Sequence, residues 1–474
     1  MTISEIVKIL TDIAWGPWML LLLVGTGVCL TVRNGFPQIT KFGYAMKNTI
    51  GKIFQKQEAG EGEITPFQAV TTALAATVGT GNIAGVTGAI AVGGPGAVFW
   101  MWLSALFGMC TKYAEVVLSV KYRERNEKGD WVGGPMYYIK NGMGKGWNWL
   151  ASVFCVLGAL AAFGIGNMTQ VNTIAGSINT AIDAFGGNTV ANTINFLGQA
   201  VPVTSIIVGA IVAVIVALVL LGGIKRIGAV TEKMVPTMAA IYIVAALAVV
   251  VTNIGAVPKI FGMIFQGAFN AEAALGGAFG ITIMTTIQKG VGRGVFSNEA
   301  GLGSAPMAHA ASSESNPVKQ GLYGIFEVFM DTIVICTLTA LTVLCGVESG
   351  VAIEWGQSAG TEVIAAAFST VFGAKIGALL VAVGIGLFAL STILSWSLYG
   401  TRCCEYLMGT AKTRVYQVFF ICLIIIGATL ELELVWNIAD TLNGFMAAPN
   451  LIALLALSGV VVKLTKEHFA ELKK

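Results

Sequence analysis

The stretch Val78–Gly85, VGTGNIAG, places three glycines and an asparagine inside a segment that is otherwise apolar enough to cross a membrane. In lipid, backbone that is released from a helix must find partners within the protein or line a cavity. Freed N–H groups suit a carboxylate and freed carbonyls suit a bare cation, so a glycine-rich break predicts a ligand or ion site. The alternative is close helix packing through small residues, although packing does not need the polar side chain of Asn82.

The residues before this break predict the helix that positions it. Thr65 is a capping threonine, Pro66 suits the first helical turn, and Gln68 stands three positions after the cap. A helix from Pro66 to Thr77 is about 18 Å long, at about 1.5 Å per residue, and ends near the middle of a bilayer. We expect a second half-helix to begin around Ile83, with unpaired carbonyls left just before the break.

The composition is that of a polytopic membrane protein. The 474 residues have a mean hydropathy of +0.79 and 11 % charged residues, whereas soluble domains carry about 25 %. Windows of about 20 apolar residues predict an all-α protein with eleven spans. These lie near residues 15–33, 66–94, 97–121, 148–184, 203–221, 232–252, 271–297, 317–346, 374–406, 414–430 and 434–462.

The distribution of lysine and arginine predicts a multi-pass protein of the cell membrane with its N-terminus outside and its C-terminus in the cytoplasm. With this topology, 24 of the 28 basic residues fall on the inside, Lys289 and Arg293 among them. Only Lys8, Lys259 and Lys375 fall outside, and Lys112 lies within a span. Positive charge concentrates on the cytoplasmic side of membrane proteins, which supports this orientation.

Span 2 then runs outward and span 7 runs inward, so two five-span units are inverted relative to each other. Each unit opens with an interruption, the second being Gly276–Gly280, and paired interruptions in inverted halves indicate a transporter's binding site. The predicted units are a peripheral N-terminal helix with its linker (1–65), two repeats (66–253 and 254–462) and a cytoplasmic tail (463–474).

Three landmarks carry a resemblance to a known family. The first is Gly79–Gly85 followed by GGPG at 93–96, the second is GVGRGVFSNEAGLGSAP at 290–306, and the third is LFALSTILSWSLY at 387–399. At these motifs the sequence resembles the alanine or glycine:cation symporter family of the amino acid–polyamine–cation superfamily. The resemblance covers spans 2 to 11 and implies a leucine-transporter-type fold, with two inverted five-helix repeats plus one peripheral helix.

The resemblance also implies an ion site and part of a substrate site. In similar transporters, amides of the first broken helix hold the substrate carboxylate, which here means Thr80 and Gly81. Carbonyls before the break and hydroxyls on a later core helix hold sodium. These map to the metal-site residues Ala75, Val78, Ser391 and Thr392, with Asn82 as a further candidate because a similar asparagine contacts sodium in relatives.

Side chains on other spans are expected to complete the substrate site. Gln170 in span 4 is predicted to face inward, as a ligand contact or as a helix–helix hydrogen bond, because an unsatisfied amide is costly in lipid. Trp396 stands one turn after Thr392, where it would wall the cavity or simply pack between helices. The predicted substrate-binding residues are Thr77, Gly79, Thr80, Gly81, Gln170, Phe279, Thr282, Ile283, Thr392 and Trp396.

Several charged residues lie within or near spans. Lys112 and Glu115 are three apart and are expected to pair on one helix face. Glu327 and Asp331 lie in span 8 without a basic residue of that span nearby. Protonation, pairing from another helix and a second cation site all remain open for them. Two further acidic residues near span ends are expected to be gate or interface residues, Glu272 and Asp440.

Other function classes have less support. The sequence has two histidines and shows no HExxH motif or nucleophile elbow, which argues against an enzyme. A repeated pore loop or rings of one charge would favour a channel, and neither is seen in the sequence. The basic residues are explained by membrane topology rather than by binding to nucleic acid. We therefore expect a monomeric carrier in the lipid bilayer that couples sodium to small neutral amino acids and has no cofactor. A proton-coupled or broader-specificity carrier of the same fold is the alternative.

Overall fold

A computed structural model describes residues 3–52, 59–60, 63–196, 199–270, 281–430 and 432–472 of the chain. The architecture is a bundle of α-helices around a buried apolar core. The helices up to the middle of the chain are α1 (Ile3–Ala14), α2 (Pro17–Arg33), α3 (Pro37–Thr40), α4 (Phe42–Thr49), α5 (Pro66–Thr77), α6 (Val86–Gly93), α7 (Ala97–Lys121), α8 (Pro135–Tyr138), α9 (Asn148–Phe163), α10 (Thr169–Ala184), α11 (Val203–Leu220) and α12 (Gly223–Thr252).

The second half of the chain continues the bundle. Its helices are α13 (Val257–Phe269), α14 (Ile283–Asn298), α15 (Pro306–His309), α16 (Pro317–Val328), α17 (Thr337–Glu348), α18 (Thr361–Phe372), α19 (Ala374–Met408), α20 (Thr413–Gly427) and α21 (Leu432–Glu471). Wider π-helical turns join α5 to α6, α9 to α10 and α16 to α17, at Gly81–Gly85, Gly164–Met168 and Phe329–Cys336. Such turns often mark functional sites.

Two small antiparallel hairpins lie outside the helices. In the first, β1 (Glu124–Arg125) pairs with β2 (Trp131–Val132), with Glu124 opposite Val132. In the second, β3 (Thr193–Phe196) pairs with β4 (Gln199–Pro202). We call the β1–β2 hairpin, residues 122–132, the latch hairpin. The end of the bundle that holds it is the hairpin side, and the end that holds α1 is the α1 side.

The predicted start and end of span 2 are confirmed. The Thr65 side chain accepts a hydrogen bond from the Gln68 backbone and the Gln68 side chain accepts one from the Thr65 backbone, so the capping box is complete. Helix α5 ends at Thr77, and Val78 leaves the helical conformation with φ −79° and ψ 84°. The chain resumes as helix from Gly81 and is bent there by 49°.

The predicted number of spans is not reproduced in full. Within the described residues, nine helices are long and apolar enough to cross a membrane, or ten when α5 and the helix from Gly81 count as one broken span. Predicted span 7 is not among them, because residues 271–280 lie outside the described part and α14 has only 16 residues. The multi-pass helical architecture is confirmed, while the count of eleven stays a prediction.

The described break in this region lies later than the sequence suggested. The predicted interruption at Gly276–Gly280 falls outside the described residues. The structure places a break after α14, where Glu299, Gly301 and Gly303 have φ of 56°, 93° and 81°. Positive φ ends a right-handed helix, and Pro306 then starts the short α15.

This later break changes the side on which two basic residues lie. Lys289 and Arg293 belong to α14, which precedes the break, and they line a pocket on the α1 side together with Trp15 and Asp440. The distribution of charge along the sequence predicts both on the inside, with the basic loops. That assignment was wrong, because it took residue 297 as the inner end of a span rather than the point at which a half-helix stops in the middle of the bundle.

Candidate functional site

The two helix breaks meet at the centre of the bundle. A Cβ atom added to Gly81 in the first break would lie 3.3 Å from the ring of Phe296 and 3.6 Å from Cα of Ser297, at the end of α14. Thr80 and Asn82 are fully buried. Freed backbone groups from two interrupted helices therefore share one enclosed site, the arrangement that suits recognition of a small polar ligand in a membrane.

The backbone donors of the first break already have side-chain acceptors. The N–H of Gly79 donates to Oδ1 of Asn82 over 2.8 Å, and the N–H of Thr80 donates to Oε1 of Gln170 over 3.3 Å. Gln170 also donates from Nε2 to the Ile165 carbonyl over 2.8 Å, and its side chain is buried as predicted. A carboxamide oxygen thus stands where an anionic oxygen would be recognised, at the start of a helix.

The predicted oxygen cluster assembles on the other side of the break. The hydroxyls of Ser391 and Thr392, in α19, each lie 3.1 Å from the Ala75 carbonyl near the end of α5. Thr392 also lies 3.2 Å from the Ala76 carbonyl, and both hydroxyls contact the Phe388 carbonyl of their own helix. Each hydroxyl therefore bonds a carbonyl of its own helix and also reaches a carbonyl of the first broken helix.

Gly79 and Thr392 approach each other closely. A Cβ atom on Gly79 would lie 2.4 Å from Oγ1 of Thr392 and 3.4 Å from Oε1 of Gln170. A glycine is therefore required at this point by the space available. The oxygen cluster and the amide donors occupy two sides of the same turn of backbone, within contact distance of each other.

The second break contributes Glu299, which the sequence analysis did not single out. Its Oε1 accepts a hydrogen bond of 2.7 Å from Nε1 of Trp396, and its Oε2 accepts one from Ser304. Trp396 is fully buried and packs on the π-helical turn of span 4, where a Cβ on Gly166 would lie 2.1 Å from it. A tryptophan with one donor needs one acceptor when buried, so Glu299 fixes the orientation of this wall.

Asp331 joins the first break to the second. One carboxylate oxygen accepts from Nδ2 of Asn82 over 2.6 Å, and the other accepts from Ser297 over 2.9 Å and from Thr332 over 2.8 Å. Cys336 lies 3.4 Å from the same Asn82 nitrogen. The carboxylate is buried and receives bonds from three elements, so Asp331 holds the breaks together whether or not it also meets an ion.

The buried charges pair differently from the prediction. Lys112 forms its ion pair with Glu327 across 3.2 Å, from a neighbouring helix, rather than with Glu115. Glu115 instead accepts from the backbone N–H groups of Gly301 and Gly303, over 3.1 and 3.0 Å, and from Asn450 over 2.6 Å. A buried carboxylate is stabilised by several donors, so Glu115 serves the second break. For Glu327, pairing from another helix is the open alternative that the structure supports.

On the α1 side, aromatic and charged side chains cover the site. The ring of Phe296 lies against Gly81 and packs on Trp436 with centroids 5.4 Å apart. The guanidinium of Arg293 lies 5.1 Å from both ring centroids and 3.5 Å from the Asp440 carboxylate. The expectation that Asp440 is a gate or interface residue agrees with this position.

Three predicted wall residues do not reach the breaks in the described structure, or lie outside it. Thr282 caps α14 and is exposed, and the side chain of Ile283 is 45 % exposed. Thr286, one turn later, bonds the Gly93 carbonyl at the far end of α6. The expectation for these two positions was wrong, because the half-helix they start runs sixteen residues before it reaches the site. Phe279 and Glu272 lie outside the described residues.

The sequence contained a signal for the residues that were missed. Gly301 and Gly303 flank one residue and are followed by Pro306, much as Gly79 and Gly81 flank Thr80 in the first break. The preceding pair Phe296–Ser297 then becomes the lining of the site. The glycine cluster at 276–280 is denser and drew the prediction away.

Comparisons with known proteins agree with this geometry. A model of the sodium:alanine symporter family matches residues 1–474. The sodium/alanine symporter AgcS of Methanococcus maripaludis is 47 % identical over 478 residues, covering 100 % of this chain and 99 % of that protein. The amino-acid carrier protein AlsT of Bacillus subtilis is 36 % identical over 473 residues, covering 99 % and 93 %.

A solved structure shares the fold. The crystal structure of MhsT in complex with L-phenylalanine aligns over 86 % of this chain and 99 % of that one, with a TM-score of 0.59 and 12 % identity. The likeness confirms the predicted leucine-transporter-type fold.

Proposed function

The chain belongs to the sodium:alanine symporter family, and from this membership we propose that it carries small neutral amino acids, such as alanine and glycine, into the cell together with sodium. Family and fold are those of multi-pass membrane transporters rather than enzymes, and they support secondary amino acid transport. One observation carries the finer proposal: the Ser391 and Thr392 hydroxyls converge on α5 carbonyls directly beside the Thr80 N–H.

Sodium would bind among the oxygens of Ser391, Thr392, Ala75 and Val78. A hard cation prefers neutral and anionic oxygen ligands, and hydroxyl and carbonyl oxygens about 3.1 Å apart can share one. Thr392 also lies against Gly79, so an ion here would fix the backbone turn that recognises the substrate. This proximity offers a physical route for coupling, because ordering one site prepares the other.

The substrate carboxylate would bind the N–H groups of Thr80 and Gly81. In the structure Gln170 supplies the acceptor for Thr80, and a carboxylate would displace its oxygen and gain the field of a helix start. Displaced, the Gln170 carboxamide remains close enough to contact the bound ligand. Thr77 is buried on the last turn of α5 and completes this wall.

The size limit would come from Trp396, Gln170 and Phe296. Trp396 is fully buried and oriented by Glu299, and Phe296 lies against Gly81. These walls are rigid, so larger side chains would be rejected by overlap rather than by chemistry. Trp396→Ala should admit valine or leucine while alanine transport weakens, because the lost wall also loosens the small ligand.

Orientation and organisation are part of the proposal. We place the N-terminus and the α1 side outside the cell and the hairpin side in the cytoplasm, because the basic loops fall on the hairpin side. Residues 66–253 and 254–462 would form the inverted repeats, with residues 1–65 peripheral and 463–474 a cytoplasmic tail. A single chain contains both breaks, which supports function as a monomer.

The direct test is uptake of radiolabelled alanine and glycine into proteoliposomes under an imposed sodium gradient. We expect saturable uptake that requires sodium and that leucine competes poorly. Uptake driven by a proton gradient without sodium would contradict sodium coupling, and equal competition by leucine would contradict the small site. Large passive conductance without saturation would contradict a carrier altogether.

A variant isolates the ion site. Thr392→Ala removes one oxygen from the cluster, so the sodium concentration for half-maximal uptake should rise about tenfold, the effect of a 1.4 kcal/mol loss. Alanine binding at saturating sodium should change less. Thr401→Ala is the matched control, since Thr401 lies on the same helix and bonds the Ser397 carbonyl. An unchanged sodium dependence would remove Thr392 from the site.

A further inference from the structure

The latch hairpin touches three elements that lead from the helix breaks to the hairpin side. These are the residues just before α5, the segment after α15, and the end of α19. Helix α5 ends at the first break and α15 begins after the second. A path from the site to the hairpin side can therefore open only if these helices move. A single hairpin that contacts all three is placed to control that movement.

Its first contact is with Glu63, two residues before the α5 cap. Nε1 of Trp131 donates to the Glu63 carboxylate over 2.9 Å, and the Arg125 guanidinium pairs with the same oxygen over 2.8 Å. Two cations also contact the Trp131 ring, since the Arg123 and Arg125 guanidinium groups each lie 4.2 Å from its centroid. Cation–π contacts of this kind hold the indole in one orientation.

Its second contact is with the segment after α15. The Arg123 guanidinium donates to the carbonyls of Ala310, Ser312 and Glu314 over 2.9, 2.6 and 3.3 Å. Directly beneath, Ile64 and that segment exchange two backbone bonds, from Ile64 to Ala311 over 3.0 Å and from Ser313 to Ile64 over 2.8 Å. The residues just before α5 and those just after α15 are therefore bonded to each other and to the hairpin.

Its third contact is with the end of α19. Asn126, in the hairpin turn, donates to the Glu405 carboxylate over 2.7 Å, and Arg402 donates to the other oxygen over 2.6 Å. Asn126 also accepts from the backbone of Lys128 and Asp130, which fixes the turn. Helix α19 carries Ser391 and Thr392, so the hairpin also touches the helix of the oxygen cluster.

We propose that the latch hairpin is the closure of the hairpin side, and that Trp131 and Arg123 are positioning residues that hold it over the ends of α5 and α15. The inference rests on the proposed transport function, in which this side must open once per cycle. Opening would break the Trp131–Glu63 and Arg123–carbonyl bonds together, because one side chain stacks on the other.

The test measures how easily the closure opens, without reference to any substrate. Ser312→Cys places a near-isosteric thiol at a fully buried position beneath Arg123. Cys29 and Cys422, the cysteines that are not buried in the described structure, are replaced by alanine. Purified protein is reconstituted, and the rate of labelling by a membrane-impermeant maleimide is measured from the hairpin side.

Trp131→Phe keeps the ring but removes the indole donor, and it should raise the labelling rate about fivefold. Glu63→Gln keeps an acceptor but removes the charge, and it should raise the rate about threefold. Two matched controls should leave the rate unchanged. Trp149→Phe changes a tryptophan that is 60 % exposed, and Glu467→Gln changes a glutamate of an exposed helical pair.

A second readout separates positioning from general damage. Labelling follows the population open on the hairpin side, whereas the KM for alanine added from the α1 side follows the reciprocal of the population open there. Weakening this closure depletes the latter, so that KM should also rise, by a smaller factor than labelling because the state open on the hairpin side is the minor one. A merely unstable protein would lose Vmax at constant KM. If Trp131→Phe lowers the melting temperature, Glu63→Gln, at a half-buried position before α5, decides the outcome.

Labelling rates in both variants that equal those of the controls would overturn the proposal. Labelling that rises as expected in a protein without amino acid uptake would leave the latch standing and would instead contradict the proposed substrate. The two failures are thus distinguishable.

Discussion

The site is closed on the hairpin side and on the α1 side by different kinds of interaction. On the hairpin side, Arg123 donates to three carbonyls and the broken helices share two backbone bonds, most of them at 3.0 Å or less. On the α1 side, the charged closure within the described residues is one pair, Arg293 with Asp440, at 3.5 Å, and both residues line a pocket of about 280 Å³. The difference indicates a conformation that is held shut on the hairpin side and poised to open on the α1 side.

The weaker closure is also bonded by residues in and just after α1. Nε1 of Trp15, just after α1, donates to the Asp440 carbonyl over 2.8 Å, and the hydroxyls of Thr11 and Thr441 lie 2.7 Å apart. A partly exposed ion pair contributes about 0–1 kcal/mol to the stability of this closure. The hydrogen bonds from α1 contribute a comparable amount. Alternating access requires two closures of similar free energy, and α1 reduces the imbalance between them.

The largest effect is expected from a substitution at Gly79, in the helix break that lies between the two closures. Gly79→Ala would place a methyl group 2.4 Å from the Thr392 hydroxyl, so the turn and the oxygen cluster cannot both persist. Sodium-dependent uptake should fall more than about a hundredfold, beyond the tenfold that 1.4 kcal/mol represents. Gly176→Ala is the matched control, because a Cβ there meets nothing within 4 Å. Normal uptake by Gly79→Ala would show that the centre is looser than the structure has it.

The next effect addresses the α1 side directly. Asp440→Asn removes the charge that faces Arg293, whose side chain is 25 % exposed, so the closure should weaken by about threefold. A Thr80→Cys reporter, at a fully buried position next to Gly81, should be labelled about three times faster from the α1 side. Asp12→Asn, which lines the same pocket, is the control. A change larger than that of Trp131→Phe on the hairpin side would reverse the comparison.

The sequence predicted one break well and the other poorly, for a physical reason. Thr65, Pro66 and Gln68 are local signals, and the capping box formed by Thr65 and Gln68 marks the start of α5. The meeting of Ser391 with Ala75 was also predictable, but only through the resemblance. The second break depends on Glu299, a non-glycine residue at φ 56°, whose side chain is held by the Trp396 donor from α19. No local pattern reports such long-range support.

The same distinction holds for the closures. Arg123 and Trp131 read as basic and aromatic residues of an interfacial loop, the ordinary composition of a cytoplasmic segment. Their contacts with residues more than sixty positions away in sequence exist only in the folded chain. Asp440 could be suspected from its position near a span end, but its partner Arg293 was assigned to the wrong side.

A smaller effect tests the contribution of α1. Trp15→Phe removes the indole donor to the Asp440 carbonyl and keeps the ring, so labelling of Thr80→Cys should rise about twofold. Pocket water can partly replace the lost bond, which limits the effect. Trp18→Phe is the control, since its indole bonds the nearby Ile13 carbonyl rather than α21. Equal rates in the two variants would leave α1 without a part in the closure.

The smallest effect concerns pH, and it bears on whether the hairpin side stays the firmer closure under acid. Partial burial alone would raise the pKa of Glu63, but the Trp131 indole, the Gly60 N–H and the Arg125 and Arg123 guanidinium groups outweigh it and lower that pKa below 4.5. A lowered carboxylate pKa means that the stabilisation from Glu63 is present above pH 4.5 and is lost as the pH falls through the lowered value.

The ratio of Ser312→Cys labelling between Glu63→Gln and Glu63 proteins should therefore stay constant from about pH 8 to about pH 5.5. Because both proteins carry the same thiol, its own ionisation cancels in this ratio. A ratio that fell towards one within that range would mean that Glu63 is already protonated there, and that its contact with Trp131 does not carry the closure.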